Sequence, residues 1–233
     1  KQKGRYRQFN QFGVEAIGAE NPSIDAEILA MVMHIYESFG LKHLKLVINS
    51  IGDSESRKEY NEALVKHFEP VIDTFCSDCQ SRLHTNPMRI LDCKIDRDKE
   101  AVKNAPRITD YLNNDSKSYY EQVKLHLDNL NISYVEDPNL VRGLDYYTHT
   151  AFELMIDNPE YDGAITTLCG GGRYNGLLQL LDGPDETGIG FALSIERLLM
   201  ALDEEGISLD VSEDFDLFVV TMGEDADRYA VKL

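Results

Sequence analysis

The sequence predicts an α+β fold, in which strands and helices form a core that a helical insertion interrupts. Two strand-like segments, 5–17 and 41–50, flank a segment whose apolar residues have helical spacing. Strand patterns return only after about residue 130. The 233-residue chain is 42% hydrophobic, which is enough for a packed core and excludes a disordered chain.

The first strand and the first helix are predicted from residues 5–40. Side chains alternate from Arg5 to Ile17, as in a strand with one polar and charged face. Ser23 is the expected N-cap of the following helix, and Gly40 is its expected end. A second strand follows in LKHLKLVINS.

The rest of the chain divides into an insertion, a second part of the core and a new domain. Charged, helix-prone residues fill 53–131, which we interpret as an inserted helical domain between core segments 1–52 and 132–204. In the second core segment, AITTLCGGGRYNGLLQLL predicts a strand, a glycine turn and a helix. Residues 205–233 combine an acidic linker with FDLFVVTM, which predicts the first buried strand of an α/β domain.

The charge balance limits the function. A formal net charge of −18, from 23 basic and 41 acidic residues, argues against a nonspecific nucleic-acid coat or a membrane-surface binder. No apolar run approaches the ~20 residues of a membrane helix, so we expect no membrane association and a cytoplasmic location. Because the chain begins without methionine and ends in mid-pattern, we expect a fragment of a longer protein.

The cysteines are too few for a disulfide scaffold. Cys76, Cys79 and Cys93, with His84 between them, have a spacing that could bind zinc. The alternative is three reduced, partly buried thiols. We expect the thiols and assign no metal ligand.

The charged face of the first strand is the first candidate site. Arg5, Arg7, Gln11 and Glu15 project from one side, which suits a ligand with phosphates at one end and a donor group at the other. A solvated sheet face is the alternative. Gln11 and Glu15 lie ~13 Å apart along a strand, so one small ligand touches both only if the side chains converge.

The segment LVRGLDYYTHTAFEL is the second candidate. Arg142 supplies a fork of donors, Gly143 permits close approach, and Tyr146 and Tyr147 provide apolar walls with polar tips. This combination suits a small, flat, polar ligand. A buried arginine paired with Asp145 beside two core tyrosines is an equally good interpretation.

Five segments resemble those of a known family. NLVRGLDYYTHTAFE and CGGGRYNGL are similar to the two histidine-specific signatures of histidyl-tRNA synthetases. KGRYRQFNQFGVE and GIGFALSIERLLMAL resemble the class II motifs 2 and 3, and TNPMRILDCK resembles a piece of the family's insertion. The resemblance implies a six-stranded, mainly antiparallel class II sheet flanked by helices, with a helical insertion and the start of a C-terminal anticodon-binding domain.

The resemblance also implies roles in binding histidine. Glu15 and Tyr147 would hold the two imidazole nitrogens, since a carboxylate facing a phenol can read a ring that both donates and accepts. Gln11 and Tyr146 would line the same pocket. Arg142 would contact the histidine carboxylate and the α-phosphate of ATP.

The remaining implied roles concern ATP, tRNA and assembly. Arg197, about two turns into a predicted helix, would hold the γ-phosphate, and Arg5 would reach the phosphates or the acceptor end of tRNA. The family uses ATP with Mg²⁺, acts on L-histidine and tRNA(His), and works as a homodimer. The motif 2 arginine, motif 1 and the loop that holds the α-amino group would precede Lys1, so we expect the fragment itself to be inactive.

A tRNA partner requires basic residues, which the acidic chain offers only locally. The expected contacts in the insertion are Arg82, Arg89, Lys94, Arg97 and Lys99. The main alternative function is a noncatalytic synthetase-like module, such as the regulatory subunit of ATP phosphoribosyltransferase or the synthetase-like domain of a stress kinase. A generic nucleotide-binding domain would explain the glycine cluster but none of the tyrosines.

Overall fold

A six-stranded sheet forms the centre of the protein. The computed structural model describes residues 6–141, 146–157, 167–209, 219–230 and 232. The strands are β1 (Gln11–Ile17), β2 (Leu44–Ser50), β3 (Tyr134–Glu136), β4 (Thr148–Ile156), β5 (Thr167–Arg173) and β6 (Gly188–Ser194). Their order is β1-β6-β5-β4-β2-β3, and every neighbouring pair is antiparallel except β2 with β3. The predicted α+β fold with a mainly antiparallel sheet is confirmed.

Helices flank the sheet and build the insertion. The α-helices are α1 (Pro22–Ser38), α2 (Ser54–Phe68), α3 (Ser77–Arg82), α4 (Met88–Leu91), α5 (Glu100–Lys103), α6 (Asn114–Asn129), α7 (Leu177–Leu180), α8 (Ile195–Glu204) and α9 (Glu224–Ala230). Two 3₁₀ helices span Glu69–Thr74 and Ile108–Asp110. Among the described residues, no helix combines the length and the apolar character that a membrane crossing requires.

The main hydrophobic core lies between one face of the sheet and the helices α1, α6 and α8. Ile48 on β2, Phe152 on β4 and Phe191 on β6 belong to one cross-strand row of buried side chains. Leu29 and Val32 of α1 pack in the same cluster and are fully buried. Because side chains alternate along a strand, the residues one position away point to the opposite face of the sheet.

A second hydrophobic cluster holds the insertion together. This cluster contains buried side chains between Ile51 and Ile108, including those of α2, α3 and α4, and also Val141 and Ala151. The helix α6 does not join it. Its side chains Tyr120, Val123 and Leu127 pack in the main core, so α6 returns to the sheet. The first half of the predicted strand FDLFVVTM, residues 215–218, lies outside the described residues, and residues 219–222 form no strand.

The first two elements do not begin where the sequence predicts, since β1 begins later and α1 begins two residues earlier. Strand β1 starts at Gln11 and not at Arg5, because pairing with β6 begins there. The N-cap of α1 is Asn21, whose side chain accepts a hydrogen bond from the Ser23 amide at 3.0 Å. Gly40 follows the helix with a φ of +91°, so the predicted end is confirmed.

The predicted glycine turn is wrong, because the glycine triplet lies inside β5. A Cβ atom on Gly171 would lie 2.1 Å from the carbonyl oxygen of Gly190 and 2.8 Å from the ring of Phe152. Neighbouring strands and a core aromatic ring therefore occupy the space of a side chain. The turn comes later, at Gly176, which has a φ of +87° and precedes the short helix α7.

A buried ion pair connects β5 to α1. Arg173 and Asp25 are both fully buried, and their Nη2 and Oδ1 atoms lie 2.5 Å apart. Thr150 on β4 and Tyr119 on α6 donate to the same carboxylate at 2.5 and 3.0 Å. Arg173 also donates to the carbonyl of Ala19 at 3.0 Å. The pair thus joins two helices and two strands through one carboxylate.

We predict that Asp25→Asn strongly destabilises the fold. The substitution leaves the Arg173 guanidinium buried without its countercharge, which costs about 3–5 kcal/mol in comparable pairs. Denaturant unfolding of the full-length protein measures the loss. Glu27→Gln is the matched control, because Glu27 is exposed on the same turn of α1 and should stay within about 0.5 kcal/mol. Equal stabilities of the two variants would contradict the assigned role.

Candidate active site

The face of the sheet opposite α1 is built largely from glycine and alanine. Glu15 on β1 lies opposite Gly190 on β6, which pairs with Gly172 on β5 and, through it, with Ala151 on β4. The next row on this face consists of Gly13, Ala192, Gly170 and Glu153. Because glycine has no side chain, the backbone of these rows forms a floor on which the side chains of other residues can pack closely.

Glu15 is held in place on this floor by a tyrosine. The Tyr174 hydroxyl donates a hydrogen bond to Oε2 of Glu15 at 2.5 Å. Burial and the hydrogen bond to Glu15 raise the pKa of Tyr174, so its phenol remains a donor. The Tyr174 ring lies where a Cβ on Gly188 would be, 2.2 Å from that atom, and the Glu15 carboxylate similarly covers Gly190. Glycine at both positions is therefore necessary for this arrangement.

Three tyrosines extend from Glu15 across the floor. The ring centroids of Tyr174 and Tyr146 lie 6.1 Å apart with an edge-on geometry, and those of Tyr146 and Tyr147 lie 4.7 Å apart. A Cβ on Gly172 would lie 2.9 Å from the ring of Tyr147. The structure thus brings Glu15, Tyr146 and Tyr147 together through Tyr174.

Gln11 and Arg197 lie farther along the sheet. Gln11 is exposed at the start of β1, opposite Ser194 and four residues from Glu15. Arg197 is the third residue of α8 and not two turns into it. Its Nη1 donates to the carbonyl of Thr167 at 2.6 Å, at the opposite end of β5 from the tyrosines. The structure does not bring these two side chains into the tyrosine cluster.

Two predicted site residues cannot be located. Arg5 and Arg142 lie outside the described residues, as does Asp145, the alternative partner of Arg142. The side chains of Tyr146 and Tyr147, which follow this segment directly, are partly exposed. The convergence of histidine-binding and phosphate-binding residues therefore stays a prediction.

A cavity of about 490 Å³ lies beside Tyr147, between α2 and the segment before α4. Arg57, Asn61 and Asn86 contribute polar groups to its wall. Arg57 also donates from Nη1 to the backbone carbonyl of Tyr147 at 2.9 Å. The insertion is thus hydrogen-bonded directly to the tyrosine cluster.

The predicted tRNA-contacting residues of the insertion differ in their surroundings. Arg82 donates to the carbonyl of Arg89 at 3.1 Å, and Lys99 pairs with the buried Asp96 at 3.0 Å. Both cations therefore support local structure. Lys94 and Arg97 are exposed.

The three cysteines with zinc-like spacing lie together in the insertion, but without His84. The donor atoms of Cys76, Cys79, Cys93 and Asp96 all lie within 4.8 Å of one another. Within the described ranges, this is the one group of three or more side chains that could hold a metal ion.

The sequence reasoning missed Tyr174, which supports Glu15. The sequence contained the signal for this role. Tyr174 lies two residues after Gly172, so in a continuous strand both residues face the same side of the sheet. Interpreting the triplet as a turn concealed this two-residue spacing. The partnership of Asp25 with Arg173 was also missed, because a first-turn aspartate has an adequate local explanation at the helix N-terminus.

Known proteins resemble the chain along its whole length. A family model described as histidyl-tRNA synthetase matches residues 1–198. The chain is 86% identical over 233 residues to histidine–tRNA ligase of Staphylococcus haemolyticus strain JCSC1435, covering 100% of the chain and 55% of the relative. It is 85% identical to that of Staphylococcus aureus strain JH9, covering 100% and 56%. The chain thus spans about half the length of the curated relatives it matches.

Solved structures agree with this relationship. Apo histidyl-tRNA synthetase of S. aureus matches with a TM-score of 0.75 and 80% identity, covering 97% of the chain and 55% of that structure. An ATP phosphoribosyltransferase regulatory subunit/histidyl-tRNA synthetase from Bacillus halodurans C matches with a TM-score of 0.54. At 23% identity, covering 83% of the chain and 53% of that structure, it supports the fold alone. Since the family model covers most of the sequence, the chain belongs to the histidyl-tRNA synthetase family.

Proposed function

We propose that a full-length protein carrying this chain is a histidine–tRNA ligase. In the first step, a carboxylate oxygen of L-histidine attacks the α-phosphate of ATP, giving histidyl-adenylate and pyrophosphate. In the second, histidine passes from the adenylate to the 3′ end of tRNA(His), and AMP leaves. The support is high identity to two curated histidine–tRNA ligases and a sheet face that can hold a small polar ring.

The observation that carries the proposal is Glu15, held by Tyr174 over the glycines of this floor. A neutral imidazole has one N–H donor and one nitrogen acceptor. A carboxylate accepts up to about four hydrogen bonds, so Glu15 can take the imidazole N–H as well as the Tyr174 hydroxyl. The phenol of Tyr147 would donate to the other ring nitrogen. Tyr146 would close one side of the pocket with its ring, which lies 4.7 Å from that of Tyr147.

ATP would extend from this pocket along the sheet. Gln11 lies on the Glu15 face of β1 and would contact the amino-acid end of the adenylate. Arg142 would bind the histidine carboxylate and the α-phosphate, where negative charge develops in the transition state. Arg197 would bind the γ-phosphate after leaving its contact with Thr167, and Arg5 would contact the phosphates or the tRNA end.

We propose Mg²⁺ as a companion of the ATP phosphates and assign it no protein ligand. Mg²⁺ prefers oxygen donors in octahedral geometry. The one metal-donor group in the described part of the chain contains three thiols and lies in the insertion. Its chemistry does not suit this ion.

The remaining proposals concern the partners. tRNA(His) would contact the exposed cations of the insertion, since the rest of the chain is strongly acidic. The family resemblance is the support for a homodimer and for a cytoplasmic location.

A noncatalytic, synthetase-like regulatory module is not favoured. The similarity to the B. halodurans protein is 23% in sequence, whereas that to a curated ligase is 86%. A regulatory module would also have no need to keep Glu15 and its supporting tyrosine together.

We predict that Glu15→Gln impairs histidine activation by the full-length protein. Loss of a charged acceptor for the imidazole N–H should reduce kcat/KM for histidine about 10- to 100-fold, without changing KM for ATP. Tyr174→Phe should produce a smaller loss, mainly in KM for histidine, because Glu15 loses its support. Histidine-dependent exchange of pyrophosphate into ATP measures both effects.

Glu20→Gln is the control for these variants, because Glu20 is exposed in the turn after β1. Its exchange rate should match that of the unmodified protein. A Glu15→Gln rate within twofold of the control would remove Glu15 from the histidine pocket.

We predict that Arg142→Ala slows pyrophosphate exchange by roughly a hundredfold. Removing a charged donor from the transition state costs ~3 kcal/mol of activation free energy. The fall should appear in kcat, since the developing charge is greatest in the transition state. Full-rate exchange by the variant would exclude the role of Arg142.

We predict that the double variant Lys94→Gln, Arg97→Gln binds tRNA more weakly and with less dependence on salt. Removing two phosphate contacts should reduce the slope of log K against log salt by about 1 to 2. Pyrophosphate exchange should be unchanged. Lys42→Gln is the control for the loss of a surface cation, because Lys42 is exposed before β2 and outside the insertion. An unchanged salt slope in the double variant would show that Lys94 and Arg97 do not contact tRNA.

A further inference from the structure

A group of four metal-donor side chains lies at the centre of the insertion. Cys76 caps α3, Cys79 lies within it, and Cys93 and Asp96 lie in the segment between α4 and α5. Their donor atoms all lie within 4.8 Å of one another. Cys79 is fully buried, and Cys93 and Asp96 are 5% and 1% exposed. A buried carboxylate needs partners for its charge, and Lys99 supplies one of them at 3.0 Å.

Two distances within the group match those of a tetrahedral zinc site. Zinc binds sulfur at ~2.3 Å and carboxylate oxygen at ~2.0 Å, so a tetrahedron places sulfur atoms ~3.8 Å apart and sulfur and oxygen ~3.5 Å apart. The sulfur atoms of Cys76 and Cys93 lie 3.7 Å apart, and Cys93 Sγ lies 3.6 Å from Oδ2 of Asp96. A disulfide would require ~2.05 Å.

The backbone around the donors supports the same interpretation. Cys76-x-x-Cys79 and Cys93-x-x-Asp96 are two turns of equal length. The amide of Gln80 donates to the carbonyl of Cys76 at 3.0 Å, and the amide of Arg97 donates to the carbonyl of Cys93 at 2.9 Å. Each pair of donors therefore lies within one hydrogen-bonded turn of the backbone.

The carboxylate is also oriented from outside the group. The Cys76 amide donates to Oδ2 of Asp96 at 2.9 Å, and Lys99 pairs with Oδ1 at 3.0 Å. Partners of this kind fix the direction in which a ligand points, which is typical of metal sites.

The surrounding fold would benefit from a crosslink. The helices α3, α4 and α5 have only six, four and four residues. Cys79 and Cys93 pack in the small hydrophobic cluster of the insertion. Small units of short helices often need a metal or a disulfide for stability.

We propose that Cys76, Cys79, Cys93 and Asp96 bind one structural zinc ion that joins α3 to the segment after α4. Three thiolates favour zinc over Mg²⁺ or Ca²⁺. Four protein ligands leave no open position, so the ion stabilises the fold and takes no part in the aminoacylation chemistry. His84 is not a ligand, since the gathered donors do not include it.

The test is metal analysis of the full-length protein, purified under reducing conditions without chelator and supplied with zinc. About one zinc per chain is expected. Cys79→Ser and Cys93→Ser should each lose more than about nine-tenths of it. His84→Ala should retain it, as should Cys169→Ser, the control in which a buried thiol of the main core is replaced.

Two measurements on the unmodified protein keep the test decisive if the variants do not fold. Replacement of zinc by Co²⁺ should give intense thiolate-to-cobalt absorption, which only sulfur ligands produce. Removal of zinc by a chelator should lower Tm and expose three more thiols to a thiol reagent. A protein that takes up less than about a tenth of a zinc per chain and shows no such absorption would overturn the proposal. So would a Cys76–Cys93 disulfide found by mass spectrometry, or full zinc content in Cys93→Ser.

Discussion

The structure depends on the buried pair of Asp25 and Arg173. Both side chains are removed from water, and one carboxylate receives donors from β5, β4 and α6. Because strand side chains alternate, Arg173 pointing into the core forces Gly172 and Tyr174 onto the opposite face. The ion pair therefore sets which residues of β5 face the candidate site. It also fixes the end of β5 against α1. The position of Tyr174, which holds Glu15, therefore depends on an ion pair on the opposite face of the sheet.

The sequence predicted the elements whose signals are local. The apolar period of α1, the alternation in β2 and the glycine after α1 each reflect neighbours within a few residues. The prediction of a turn at the glycine triplet was wrong because the reason for these glycines is not local. Gly171 is required by the carbonyl of Gly190 on another strand, and a lone glycine run looks the same in a turn.

The candidate site was predicted in part for the same reason. Glu15, Tyr146 and Tyr147 lie in distinctive segments, and the family resemblance identified them. Tyr174 supports Glu15 because it lies at the end of β5 on the same face of the sheet. This role can be predicted only when the bounds of β5 are known. In the insertion, the cysteines are candidate metal ligands by residue type alone. Asp96 is one of 41 acidic residues, so only its burial and its neighbours in the structure identify it as a candidate.

The hydrogen bond from Arg57 to the carbonyl of Tyr147 has a mechanical consequence. Arg57 belongs to the first helix of the insertion, and Tyr147 lies against the backbone of Gly172 on the sheet. A rigid helix and a packed ring transmit displacement well, because protein interiors have low compressibility. A rotation of the insertion would therefore displace the main chain of Tyr147. A molecule bound to the insertion, far from the sheet, would in this way shift the position of the Tyr147 ring.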